Sequence, residues 1–186
     1  FRIKSNVGDY VFRGLSIKDA ARLQHLYKEA EKTGWQINFK RQKKDLAFIA
    51  KWIGEIQERK YFQRSSVFNA RASLAEELEK KLPGKIPVSL WQSESAKNLE
   101  TIRQFPYHNP QHRININQEY VPKETERREK LFNEIESNPL TEEQRQAVVK
   151  DEDANLVIAS AGSGKTSVII AKAAWLIEKG LRKPEE

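Results

Sequence analysis

Eleven residues near one end of the chain, Leu156-Val-Ile-Ala-Ser-Ala-Gly-Ser-Gly-Lys-Thr166, constrain it more than any other segment. Leu156 to Ala159 have the apolar and small side chains of a short buried strand. A loop of small residues follows, then Lys165-Thr166, then an apolar-rich stretch with no breaker until Gly180. Strand, loop and helix in that order form the context of a phosphate-binding P-loop. Gly162 and Gly164 permit backbone angles that turn several N–H groups toward one point, and a helix N-terminus adds partial positive charge. In such a loop Lys165 is placed to reach the β- and γ-phosphates, and the Thr166 hydroxyl to ligate Mg2+. The first glycine of the general pattern G-x-x-x-x-G-K-[ST] is Ala159 here.

The acidic strand end and the arginine that a P-loop motor needs do not fit into the residues after Thr166. The chain is therefore expected to be a piece of a larger protein. Its 186 residues are enough for one or two domains. With 32% charged residues and a mean hydropathy of −0.74, the surface is heavily solvated and the core modest. A net charge of +7 permits a polyanionic partner without requiring one. The absence of cysteine excludes disulfides, zinc thiolate sites and thiol catalysis, and fits a reducing cytoplasm. No apolar run approaches the length of a membrane span, and no signal peptide is visible.

Alternation in Phe1-Arg-Ile-Lys and Tyr10-Val-Phe-Arg, with turn residues Ser5 to Asp9 between, predicts a β-hairpin. A helix should start at Ser16, bury Leu23, Leu26, Tyr27 and Ala30, and close at Gly34. Leu46, Ile49, Ala50, Ile53 and Ile56 form a strong amphipathic stripe, and Val67, Leu74, Leu78 and Leu82 a looser one. They predict two helices folded back near residues 61–66, or one long bent helix. A further helix is expected over about 89–104 with Trp91, Leu99 and Ile102 inward. Residues 106–121 read as a linker, and Pro122 as the first position of a charged helix over 123–137. His108 and His112 have the spacing of a helical metal pair, but Pro110 between them and the lack of a third ligand favour two solvated loop histidines. The fold class predicted is thus α+β and mostly helical. It comprises a hairpin and helical accessory region over 1–105, the linker, and over 122–186 the first βα unit of a truncated RecA-like α/β domain.

Thr141-Glu-Glu-Gln144 opens a short helix just before the P-loop and admits two readings. Its spacing is that of a capping box. Its glutamine amide can also donate and accept at once against an adenine base.

Asn138-Pro-Leu-Thr-Glu-Glu-Gln-Arg-Gln-Ala-Val-Val149, a short acidic connector and the P-loop together resemble the entry to UvrD/Rep-type superfamily 1 helicases. That family writes its P-loop A-x-A-G-S-G-K-T, so the alanine at 159 is the family's own form. The resemblance implies ATP and Mg2+ as cofactors, with Gln144 reading adenine. Ala161, Gly162, Ser163, Gly164, Lys165, Thr166 and Ser167 would hold the phosphates, and Thr166 the metal. It implies DNA, single-stranded or partly duplex, as partner and 3′-to-5′ unwinding as activity. Catalysis would be incomplete within these residues. A polymerase-recycling ATPase of the same superfamily and a DNA- or protein-binding accessory module are the alternatives.

Residues 40–64 carry eight Lys and Arg against three Asp and Glu, with aromatic residues between. Cations beside aromatic rings suit single-strand stacking. The plainer reading, which the helical stripe favours, buries Phe48 and Trp52 as core and leaves the lysines solvated.

Overall fold

The computed structural model describes residues 2–5, 8–160 and 162–185, and they divide into two compact units. The first unit takes residues 1–54 and 71–106, the second residues 55–70 and 107–186. In the first, Arg2–Ser5 (β1) pairs antiparallel with Gly8–Val11 (β2), Ile3 opposite Tyr10. The pair forms a two-stranded sheet of its own. Residues 6 and 7, at the expected turn, lie outside the described residues.

Helix dominates the rest, and the α+β class is corrected on that ground. No βα unit forms at the P-loop: residues 155–160 are in no strand, with Leu156 86% and Ile158 89% exposed. The physical reason is that strand pairing needs a neighbouring edge. Among the described residues the only paired strands are β1 and β2.

α1 runs from Ile17 to Gln57, straight through Gly34. Ser16 caps it, its Oγ accepting from Asp19 N at 3.1 Å. Gly34 does not close the helix: its φ is not positive, and the apolar periodicity of the residues after it carries the helix on. Of the first half's expected buried face, Leu26 is 55% exposed. Trp35, Phe39, Leu46, Ile49, Trp52 and Ile53 bury the second half. α2 (Ser65–Lys81) adds Ala75 and Leu78, and α3 (Glu94–Gln104) adds Ala96, Leu99 and Ile102. The Trp52 and Phe105 rings meet edge-on at 5.7 Å, and Arg103 donates to Leu82 O at 2.7 Å. Trp91 points outward, against expectation, its Nε1 held by Ile86 O while a 3-10 turn at Val88–Leu90 precedes Ser93, the cap of α3.

In the second unit the segment expected as a linker is mostly α4 (Pro110–Arg127). Asn109 caps it and Pro110 takes the first position, where a missing N–H costs nothing. Pro122 lies inside this helix. α5 (Glu129–Glu134), α6 (Glu142–Val149) and α7 (Lys165–Glu178) follow, and α6 packs on both α4 and α7. Their core is Tyr120, Phe132, Leu140, Val148, Val149, Ala171 and Trp175.

At its centre the carboxylate of Glu124, 1% exposed, accepts from Trp175 Nε1 at 3.1 Å and pairs with Lys179 at 2.7 Å. Lys179 also donates to the Tyr120 hydroxyl at 2.9 Å, and burial lowers its pKa against the pull of Glu124. This network fixes α7 on α4, and α7 carries the P-loop at its start. Among the described residues no helix is long and apolar enough to cross a membrane.

Candidate nucleotide site

The site is assembled from three local devices within the second unit. The first is the start of α6. Thr141 Oγ1 accepts from Gln144 N at 3.4 Å, and Gln144 Oε1 accepts from Thr141 N at 2.8 Å, a complete capping box. Glu143 in the same turn has its carboxyl held below the usual range by its own N–H and the Thr141 hydroxyl. Arg145 anchors the turn, donating to Leu140 O at 2.8 Å and Asn133 Oδ1 at 2.7 Å.

The second device is the loop. Gly162 and Gly164 have φ of 75° and 79°, angles that side chains rarely adopt. Ser163 closes the turn, its Oγ and N donating to Ser160 O at 2.8 and 3.4 Å. At Gly164 a Cβ would also lie 2.5 Å from Gln144 Nε2, so any side chain there would displace the amide from this position. The bare backbone lets the glutamine close on the loop, where Nε2 donates to Ser163 O at 3.1 Å. One amide thus serves both the helix cap, through its oxygen, and the loop, through its nitrogen.

The third device is the N-terminus of α7, capped by no side chain. Its first residue, Lys165, projects its ammonium to Ser160 O at 2.6 Å and Ala159 O at 3.3 Å, so a cation is held over the loop. Thr166 follows, exposed in the same turn, and Ser167 is half-buried near Gly164.

Between them lies a cleft of about 660 Å³ lined by Gln144, Ser163 and Lys165 with Asn155, Leu156, Val157 and Ala159. Of the residues expected from sequence, Gln144, Ser163, Gly164 and Lys165 are brought together. Gly162 and Thr166 are exposed and do not line it, and Ala161 lies outside the described residues.

The acidic connector Asp151-Glu-Asp153 was not anticipated as a structural part. Asp151 pairs with Arg64 at 2.6 Å and Lys172 at 3.2 Å. Glu152 accepts from Ser65 N at 2.6 Å and pairs with Arg113 at 2.6 Å, while Asp153 accepts from Ser66 N at 2.7 Å. Carboxylates therefore satisfy the N-terminus of α2, and the connector leading to the loop is tied down. Lys172 reaches back from α7 to Val148 O at 2.8 Å and Lys150 O at 3.1 Å, binding the end of α6. Only the run of three acids hinted at this in the sequence.

An amide-bearing helix turn set against a glycine-angled loop, a lysine and an open helix N-terminus gathers groups suited to an anion. Residues 140–186 match the UvrD/REP helicase N-terminal domain. The chain is similar to DNA helicase IV of Escherichia coli (strain K12), 43% identical over 74 residues. That match takes in 40% of this chain and 11% of the helicase's own length. No solved structure matches the chain.

Proposed function

We propose that residues 141–167 are the ATP site of a DNA helicase that couples nucleotide hydrolysis to 3′-to-5′ unwinding, and that these 186 residues alone hold Mg2+-ATP without turnover. The observation that carries this reading is the meeting of Gln144 with the loop at Gly164, where an added Cβ would fall 2.5 Å from the amide. With Gln144 and the loop lining one cleft, the approach supports reading the amide as the base-recognising group and the loop as the phosphate cradle.

Bound Mg2+-ATP would supply the free energy of phosphoanhydride cleavage, and Lys165, Thr166 and the loop fit that group. Lys165 neutralises phosphate charge by exchanging its two loop carbonyls for phosphate oxygens. The amides of 162–166 and the start of α7 stabilise the same charge. Thr166 places a hydroxyl in the first helical turn for the metal. Beyond its bonds to Thr141 N and Ser163 O, the Gln144 amide keeps one further N–H and one further lone pair, which suits the donor–acceptor edge of adenine. Turnover needs a group that positions water, and the only carboxylate among the described lining residues is Glu143, at the start of α6.

Competition for a bound fluorescent ATP analogue tests the assignment. ATP is expected to displace it at least tenfold better than CTP or UTP, a preference abolished in Gln144→Leu, with no phosphate release above background. Equal displacement by purine and pyrimidine triphosphates, or turnover lost with Lys165→Ala, would contradict it.

A further inference from the structure

We propose that one exposed face of α1, over residues 37–51, binds single-stranded DNA by its phosphate backbone. The inference rests on the reading of the chain as part of a DNA helicase. It starts from an asymmetry between the two units. Residues 1–54 and 71–106 hold eighteen Lys and Arg against ten Asp and Glu, while the second unit holds fifteen against sixteen. The first unit therefore carries the whole of the chain's positive surplus.

Within it the charge is ordered. Ile37, Lys40, Arg41, Lys44, Phe48 and Lys51 recur at three- and four-residue spacing on α1, opposite the buried Phe39, Leu46, Ile49 and Ile53. Lys40, Arg41, Lys44 and Lys51 are all exposed. From Lys40 to Lys51 the stripe runs along about 16 Å of helix.

The pairing of cations separates this face from the other basic run. In the second unit Arg59 is paired with Glu119, Arg64 with Asp151 and Arg113 with Glu152. Among the described residues Lys40, Arg41 and Lys44 have no carboxylate partner. They keep their charge facing solvent, and a polyanion would gain them without breaking an internal contact.

The apolar members of the stripe choose between kinds of DNA. Ile37 is 47% exposed and Phe48 49% exposed, lying among the cations rather than in the core. Arg71 lies 5.3 Å from the Phe48 ring centroid and fixes one side of it. A ring set in a cationic track offers a stacking surface to unpaired bases, which a duplex does not present.

Fluorescence anisotropy of labelled oligo-dT, titrated with the whole chain across a salt series, tests this. The triple variant K40Q/R41Q/K44Q should bind at least tenfold more weakly, with the slope of log K against log salt flatter by about 2, at roughly 0.7 per single-strand phosphate contact. A control removing three second-unit charges, K60Q/K123Q/K130Q, should bind within twofold of the parent. Phe48→Ala should lose affinity while keeping the slope. Unchanged circular dichroism and melting show that each variant folds. Equal binding by the triple variant and the control would overturn the proposal, as would duplex of the same length binding as tightly as oligo-dT. Lys165→Ala should leave oligo-dT binding unchanged, so failure of ATP binding sinks the nucleotide site alone.

Discussion

At the scale of single residues, two positions hold more than their size suggests. Gly164 combines a left-handed φ of 79° with a Cβ position already taken by the Gln144 amide. Gly164→Ala therefore carries about 1–2 kcal/mol of backbone strain and also pushes Gln144 off the loop. Affinity for Mg2+-ATP should fall at least tenfold, read by titration of a fluorescent analogue; unchanged affinity would show that the close approach does not matter. Glu124 is the second. Truncating it to alanine strands Lys179, only 8% exposed on its side chain, and the Trp175 N–H. Leaving a buried charge without its partner costs about 3–5 kcal/mol, measurable as a lower urea midpoint. A loss below about 1 kcal/mol would mean that the network relaxes without penalty.

Elements show which parts of the structure were legible in sequence. The capping box at Thr141 and the turn at Gly162 and Gly164 are, because their bonds span three or four residues and residue type alone dictates them. The second half of α1 is legible through its apolar period. Gly34 is not, since glycine closes helices and is tolerated inside them, and the choice is made by the residues that follow. Gly34→Ala separates the two. With no positive φ and open space around its Cβ position, it should stabilise the protein by about 0.5–1 kcal/mol in chemical denaturation. A helix closing at residue 34 would instead be destabilised. Pro110, expected in a linker, opens α4, and Pro122, expected at a helix's first position, lies inside it, because a proline at the first helical turn and one inside a helix look alike in isolation. Leu156 to Ala159 has strand composition, but composition provides no partner strand. Glu124 and the acidic connector were out of reach for another reason: their partners lie 51 and 87 residues away.

The connector also makes a prediction in pH. Burial pushes the Glu152 carboxyl up, but Ser65 N–H, Arg113 and Asp153 N–H outweigh it, and the net shift is downward. Asp153 is lowered by the Ser66 hydroxyl and N–H. Groups whose pKa is depressed by folding add stability above their unfolded values, about 4, and lose it as pH falls through the folded ones. The melting temperature should drop below about pH 4.5, and less steeply in E152Q/D153N. Parallel curves for the two proteins would contradict this.

For the molecule as a whole, the two units divide the chemistry. The second joins a capped helix, a glycine-angled loop and a pinned α7 around one cleft, the proposed nucleotide site. The first gathers the positive charge on a long helix. That Lys165 and its loop hold nucleotide is the claim on which the helicase reading stands. Titration of Mg2+ and a fluorescent ATP analogue into the chain and into its Lys165→Ala variant tests it most directly. The parent should bind saturably, displaced by ATP, and the variant at least tenfold more weakly with its fold intact. Equal binding by the two, or none by the parent, would contradict it.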